Sequence, residues 1–304
     1  MRRSFRSLPF VLALSACSFQ LPPRPVVEPI SWSVDREALP EVTLRALPVA
    51  RTGGTESQCV EGGGDEILDM PIFVYVVEHP SEGLILIDAG YGRRTAADSN
   101  DYPGFLASQL LRIRMEPTAA AADRLPELGY SAGDVRHVIV THLHSDHVGG
   151  LADFPQSTLW VDQAEWEAAG EGGDFAEHGV VRTLDFNGTK PYGPFPGHID
   201  LFSDGSIILL PTPGHTIGHI SLLVNLRGTS LLFAGDAAWI DRNWQEPAPK
   251  GMLVRNILEH DWEQNMDALW RIRDWARANP DLVIVAGHEP ANLERLKAWP
   301  EPYE

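Results

Sequence analysis

The segment Thr141-His142-Leu143-His144-Ser145-Asp146-His147 constrains this chain more than any other. It places four side chains of metal-ligand type within six positions, directly after a short apolar run, Val138–Val140, that reads as a buried strand. His142 and His144 are two apart, so on extended backbone they point to one side. Asp146 and His147 are adjacent and diverge, so they can serve a second ion beside the first. Neutral imidazole with carboxylate suits zinc and similar divalent ions. As a core segment the stretch would offer only Leu143. As a plain surface loop it would leave four ligand-type side chains unexplained.

Three further candidates sit at the ends of apolar runs: His215 in Pro213-Gly214-His215, Asp236 in Ala234-Gly235-Asp236 and His288 in Ala286-Gly287-His288. Each follows a Gly, which lets backbone approach a crowded centre. Strands are expected over Val42–Val49, Ile72–Glu78, Leu84–Ile87, Val138–Val140, 158–161, Ile207–Leu210, Ile220–Asn225, Ser230–Ala234 and Leu282–Ala286. Helices are expected over 103–115, 119–129 ending at Gly129, 162–169 and 260–278, with a short one closing the chain. The 260–278 helix is the most strongly amphipathic, through Trp262, Met266, Leu269, Ile272 and Trp275. Strands cluster first and then alternate with helices. That order predicts an α/β protein built as a four-layer αββα sandwich.

The string His-x-His-x-Asp-His, followed by His215, Asp236 and His288, resembles the metallo-β-lactamase superfamily. The likeness runs from about residue 40 to the end, and Asp88 in Ile87-Asp88-Ala89-Gly90 fits that family's first motif. The resemblance implies that His142, His144 and His215 hold one divalent ion. Asp146, His147 and His288 would hold the second, with Asp236 bridging and Asp88 orienting a ligand. It implies a hydrolase using a hydroxide shared by two ions, with Asp146 passing a proton to the leaving group. Zinc fits best, and iron, manganese or cobalt are accepted by the same donors.

Within the family, Met70 through Gly92, Leu128-Gly129-Tyr130-Ser131 and the stretch from Asp134 into Gly150 are similar to the N-acyl-homoserine lactonase branch. So is the spacing of 21 residues from His215 to Asp236. The implied activity is lactone or related ester hydrolysis, a quorum-quenching role. The alternative is a β-lactamase or phosphotriesterase-type hydrolase on the same site. The bridging Asp236 argues against the zinc β-lactamases, and the 16 residues after His288 leave no room for a glyoxalase II substrate domain. One departure is Trp239, where the lactonases commonly carry Tyr; an indole N–H donates a hydrogen bond but cannot act as a phenol. Trp239 and Trp244, with Phe186, Tyr192 and Phe195, lie on loops next to the metal motifs. They are candidates to wall an acyl pocket, or equally to pack on the scaffold. Of the other histidines, His219 reads as a structural hydrogen-bonding residue.

The first residues belong to another category. Arg2, Arg3 and Arg6 precede an apolar run, Leu8–Ala16, too short to span a bilayer. Residues 1–16 read as a signal peptide. Leu14-Ser15-Ala16-Cys17 resembles the lipobox of bacterial lipoproteins, which implies lipidation at Cys17. Ser18, rather than Asp, implies the outer membrane facing the periplasm. Residues 17–40, with Pro22, Pro23, Pro25 and Pro29, read as a tether, and 41–304 as one metallo-hydrolase domain. The lipid anchor would be the chain's sole membrane contact. With Cys17 acylated, Cys59 is left as a buried thiol. The net charge of −18 argues against nucleic acid, which needs clustered Lys and Arg, and leaves a small-molecule substrate.

Overall fold

The computed structural model describes residues 21–24, 32–170, 175 and 178–304. The signal peptide and Cys17 lie outside the described residues. The strands are β1 (Thr43–Thr55), β2 (Ile67–His79), β3 (Gly83–Ile87), β4 (Val135–Ile139), β5 (Thr158–Asp162), β6 (Val180–Leu184), β7 (Ile199–Asp200), β8 (Ile207–Pro211), β9 (Ile220–Asn225), β10 (Ser230–Gly235) and β11 (Leu282–Ala286). They form two sheets. One has the order β1-β2-β3-β4-β5-β6 and the other β11-β10-β9-β8-β7. In the first, β1, β2 and β3 pair antiparallel and β3 to β6 pair parallel. In the second, β7 to β10 run antiparallel and β11 joins β10 in parallel.

Strand alternation sorts the apolar residues into layers, because successive side chains point to opposite faces. Phe73, Tyr75, Ile85, Ile87 and Ile139 face Leu209, Leu222, Val224, Phe233 and Val285 between the two sheets. The opposite set, including Val74, Val76, Leu86 and Val138, packs outward against Ala121, Ala122 and Leu125. On the far side, Ile208, Leu210, Leu232 and Ile284 meet Met266, Leu269, Ile272 and Trp275 of the helix Trp262–Ala278. This is the four-layer αββα sandwich. The long helix starts where Asp261 accepts hydrogen bonds from the Glu263 and Gln264 N–H groups, as an N-cap should.

Some boundaries differ from expectation. The 119–129 helix is α over Ala121–Arg124 and tightens to 3₁₀ over Leu125–Leu128 at Pro126, stopping at Gly129 with φ +82°. The 103–115 helix covers only Phe105–Leu111. Beyond it Arg112 turns left-handed and Arg114 pairs backbone to backbone with Arg51, so 112–115 is drawn out as an edge partner of β1. The expected tether does not stay free of the domain. Leu39 is buried, Arg36 donates to the Leu226 carbonyl, and Trp32 stacks edge-on against Trp275. Cys59 is buried beside Met70, and burial pushes its thiol up to about 12.

Candidate metal centre

Parallel pairing brings the functional side chains to one end of the sandwich. Beside β4, whose end leads into His142, the chain leaves β3 at Asp88, whose N–H donates to the Ile139 carbonyl at 2.8 Å. His142 follows, His144 sits on extended backbone, and a single helical turn, Ser145–Val148, then swings Asp146 and His147 to a second direction. From the other sheet, the turn between β8 and β9 carries His215, β10 leads into Asp236, and neighbouring β11 leads to His288.

The seven expected residues form two groups. His142, His144, His215 and Asp236 make one, and Asp146, His147 and His288 make the other; within each, the candidate ligand atoms lie within 4.8 Å of one another. Asp236 faces both. Its Oδ2 is 3.4 Å from His215 Nε2 and 3.9 Å from His142 Nε2, while its Oδ1 is 3.3 Å from His147 Nε2 and 3.1 Å from His288 Nε2. Asp146 Oδ2 is 3.4 Å from His288 Nε2 and 3.7 Å from His147 Nε2. His142 Nε2, His147 Nε2, His215 Nδ1 and Asp236 Oδ1 are buried without a hydrogen bond among the described residues. Buried polar atoms left unpaired are costly and need an explanation. His142 Nε2 belongs to the first group, while His147 Nε2 and Asp236 Oδ1 face each other in the second, so one divalent cation in each group would satisfy them and the donor set fits two such ions.

The chain matches the profile of the metallo-beta-lactamase superfamily over residues 68–288. The chain belongs to that superfamily. It is 31% identical over 248 residues to the N-acyl homoserine lactonase AttM of Rhizobium johnstonii, covering 80% of this chain and 90% of that one. Among solved structures it is similar to an N-acyl homoserine lactone hydrolase with the product N-hexanoyl-L-homoserine at its metal centre. There the TM-score is 0.71 at 22% identity, covering 87% of this chain and 100% of the other. It is also similar to AidC, a dizinc quorum-quenching lactonase, with TM-score 0.59 at 16% identity over 87% and 90% of the two chains. Together with the donor set, these relatives make it a metal-dependent hydrolase.

A second ring of contacts orients the superfamily's donor residues. Asp88 Oδ2 is 2.7 Å from His147 Nδ1, and its Oδ1 accepts the Thr141 N–H at 2.7 Å. The His147 ring is thereby held with Nε2 turned inward, the usual carboxylate–histidine arrangement behind a metal. His288 Nδ1 is fixed by the Pro71 carbonyl at 3.1 Å. Burial alone would lower His147, but the carboxylates of Asp88, Asp236 and Asp146 outweigh it and hold this imidazole well above its ordinary range. His142 and His215 are instead pushed well below it, chiefly by burial. They are therefore neutral and ready to donate a lone pair. Burial would raise Asp236, yet His288 and His147 hold its carboxyl well below the usual carboxylate range.

Exchanging Asp88 for Asn tests this ring. Asp88 has φ +56°, a conformation Asn tolerates, so the fold should survive. Metal affinity should fall by roughly 10–100-fold, as for other residues that support a ligand, measured by competition with a chromophoric chelator.

His219 is structural, as its context suggested. Its Nε2 accepts the Asp236 N–H at 2.9 Å and its Nδ1 lies 3.1 Å from the Thr212 carbonyl. Burial pushes it down to about 3. The unfolded chain, with an ordinary histidine near 6.5, therefore binds a proton that the folded chain does not. Its share of stability is present above about pH 6.5 and drains away as pH falls toward 3, at up to about 1.4 kcal/mol per pH unit. In chelator, His219→Gln should flatten the acid limb of the denaturant-midpoint profile; an unchanged slope would contradict this.

Three supporting residues escaped the sequence reading. Glu165 accepts the Leu143 N–H at 3.0 Å and the Gly218 N–H at 2.9 Å, bracing the loops that carry His144 and His215. Lys250 is buried, donating to the Asp236 carbonyl at 2.7 Å and to Glu259 at 2.6 Å. Glu259 Oε1 lies 3.9 Å from His215 Nδ1. The one available signal was sequence position, since Lys250 and Glu259 lie between Asp236 and the long amphipathic helix.

Above the donors opens a cleft of about 380 Å³ whose floor includes His144, Asp146, Asp236 and His288. Its walls are Met70, Leu110, Trp239, Leu253 and Ile257, so it is largely apolar. Trp239 is thus at the expected pocket, with its Nε1 donating to Asp236 Oδ2 at 2.7 Å. Tyr192 and Phe195 are not. Both pack against Trp275 on the outer helix layer, and the Tyr192 hydroxyl accepts from Trp32 Nε1 at 3.0 Å. Trp244 and Phe186 also pack on the scaffold. Aromatic rings next to a motif in sequence were drawn to the larger apolar surface behind it.

Proposed function

We infer that this chain hydrolyses lactones of the N-acyl-homoserine type. The reading is carried by one observation: a carboxylate, Asp236, shared between two donor groups at the floor of an apolar cleft. The similarity to lactonases supports it. His142, His144 and His215 would hold one ion and Asp146, His147 and His288 the other, with Asp236 bridging. Zinc fits best. Two divalent ions, when bound, supply Lewis-acid polarisation and a nucleophilic water at neutral pH.

The chain's own residues do the rest. The apolar walls accept the acyl chain and turn the ring toward the floor. Ring opening adds water to the carbonyl and breaks the ring C–O bond, and the leaving alkoxide must gain a proton. Asp146 lines the cleft with its side chain 18% exposed, so it can both reach the ring and exchange protons with solvent. Trp239 keeps Asp236 from rotating. The N-terminal features support delivery of the protein to the periplasm, anchored by lipid at Cys17 in the outer membrane.

The test is a panel of acyl-homoserine lactones, simple esters, a phosphotriester and a chromogenic cephalosporin, with metal content measured in parallel. Lactones should be turned over fastest. Faster opening of the cephalosporin or the phosphotriester would replace this reading with the alternative hydrolase.

A further inference from the structure

Two short helices stand on either side of the cleft mouth, Phe105–Leu111 and Met252–Ile257. Leu110, Leu253 and Ile257 line the cleft yet are 64–70% exposed, and Phe105, Leu106 and Met252, outside it, are 66–69% exposed. An apolar surface this continuous around a site mouth marks something that covers it. The N-terminal segment indicates what. Arg24 is held by Asp274 at 2.6 Å and stacks on Trp270, while Trp32 stacks on Trp275, so these two residues are held on the helix Trp262–Ala278. Arg24 lies seven residues after Cys17, a reach of about 25 Å at most. The twelve-residue rise from Asp274 back to Trp262, whose neighbour Asp261 donates its N–H to the Gly214 carbonyl beside His215, is roughly 18 Å. An acylated Cys17 can therefore reach the level of the cleft mouth, and it cannot hold the domain far from its membrane.

We propose that the rim formed by Phe105, Leu106 and Met252 with the neighbouring cleft residues docks onto a lipid surface, so that the cleft takes amphiphilic acyl substrates directly from the bilayer. This rests on the hydrolase and anchor readings above. Lipid suits the rim because its exposed side chains are aliphatic and aromatic. The acidic chain, at −18, favours a zwitterionic over an anionic surface.

The chain from Ser18 onward keeps every described residue and lacks the acyl anchor. It should float with phosphatidylcholine vesicles, and less with vesicles containing phosphatidylglycerol. The variant Phe105→Ser/Leu106→Ser/Met252→Ser should lose at least tenfold in vesicle partition while cleaving a short, water-soluble lactone at the unaltered rate. Equal partition of the two proteins would overturn the proposal. So would a wild-type dimer, in lipid-free solution, that the variant converts to monomer, because the rim would then be a contact between copies. Failure of the hydrolase reading would show separately, as no lactone cleavage by either protein. Failure of the anchor reading would show as an unmodified Cys17 in the mass of the full chain recovered from membranes.

Discussion

The Asp236→Asn protein is expected to hydrolyse lactones about 10³-fold more slowly than the native chain and to retain less metal. Asp236 supplies one oxygen to each donor group, at 3.1–3.4 Å from the nearest imidazole nitrogens. The amide keeps the shape but removes the charge and replaces one of those oxygens with a nitrogen that cannot ligate. Lewis-acid catalysis is worth several kcal/mol, and about 4 kcal/mol corresponds to roughly 10³ in rate. The Trp239 indole, which donates to Oδ2, would favour the amide oxygen at that position. The loss should then fall harder on the Asp146, His147 and His288 group. Kinetics and elemental analysis on one preparation check this, and a variant with both native rate and full metal content would contradict it.

Gly214→Ala should cost the chain much of its stability although it removes no contact at all. Gly214 has φ +135°, and a Cβ there would lie 2.2 Å from the Asn265 backbone nitrogen and 2.5 Å from its Cα. Those atoms belong to the first turn of the helix Trp262–Ala278 and cannot move like a flexible side chain. Backbone strain costs about 1–3 kcal/mol and overpacking a similar amount, so about 3 kcal/mol in total is expected. That lowers Tm by roughly 6–10 °C in a chain of this size. The scan belongs in excess chelator, because bound metal would mask part of the change. Gly133→Ala, whose Cβ would meet only Ser131 Oγ at 3.6 Å, is the control and should stay within about 0.5 kcal/mol. The two substitutions having equal effects would refute the account.

The seven residues of the two groups were legible in the sequence because one motif follows a buried strand and the other three residues each follow a glycine, and the parallel pairs β3–β4 and β10–β11, with the β8–β9 turn, bring them to one edge. The layer order was legible for the same reason: period-2 and helical patterns report directly which face is buried. The cleft was not. Met252–Ile257 has too few residues for a periodic pattern, and Met252, Leu253 and Ile257 face outward where an amphipathic helix buries its apolar side chains. Lys250 and Glu259 look like surface charges in isolation, and only the folded chain brings them together in the interior beside Asp236. Tyr192 and Phe195 failed for a related reason. Proximity along the chain to a metal motif says little when a strand of five residues separates them from it in space.

The donors come from both sheets. His142, His144, Asp146 and His147 ride on the first, and His215, Asp236 and His288 on the second. Between the sheets the packing is mostly apolar, with few polar ties, among them the Ile220 N–H to the Thr141 carbonyl and His288 Nδ1 against the Pro71 carbonyl; such packing resists separation more than sliding. Cations seated at the edge would act as rivets there, pinning the two halves in register. Stripping them should leave the layers intact while freeing one sheet to shear over the other, so the first sign of metal loss would be mechanical rather than chemical.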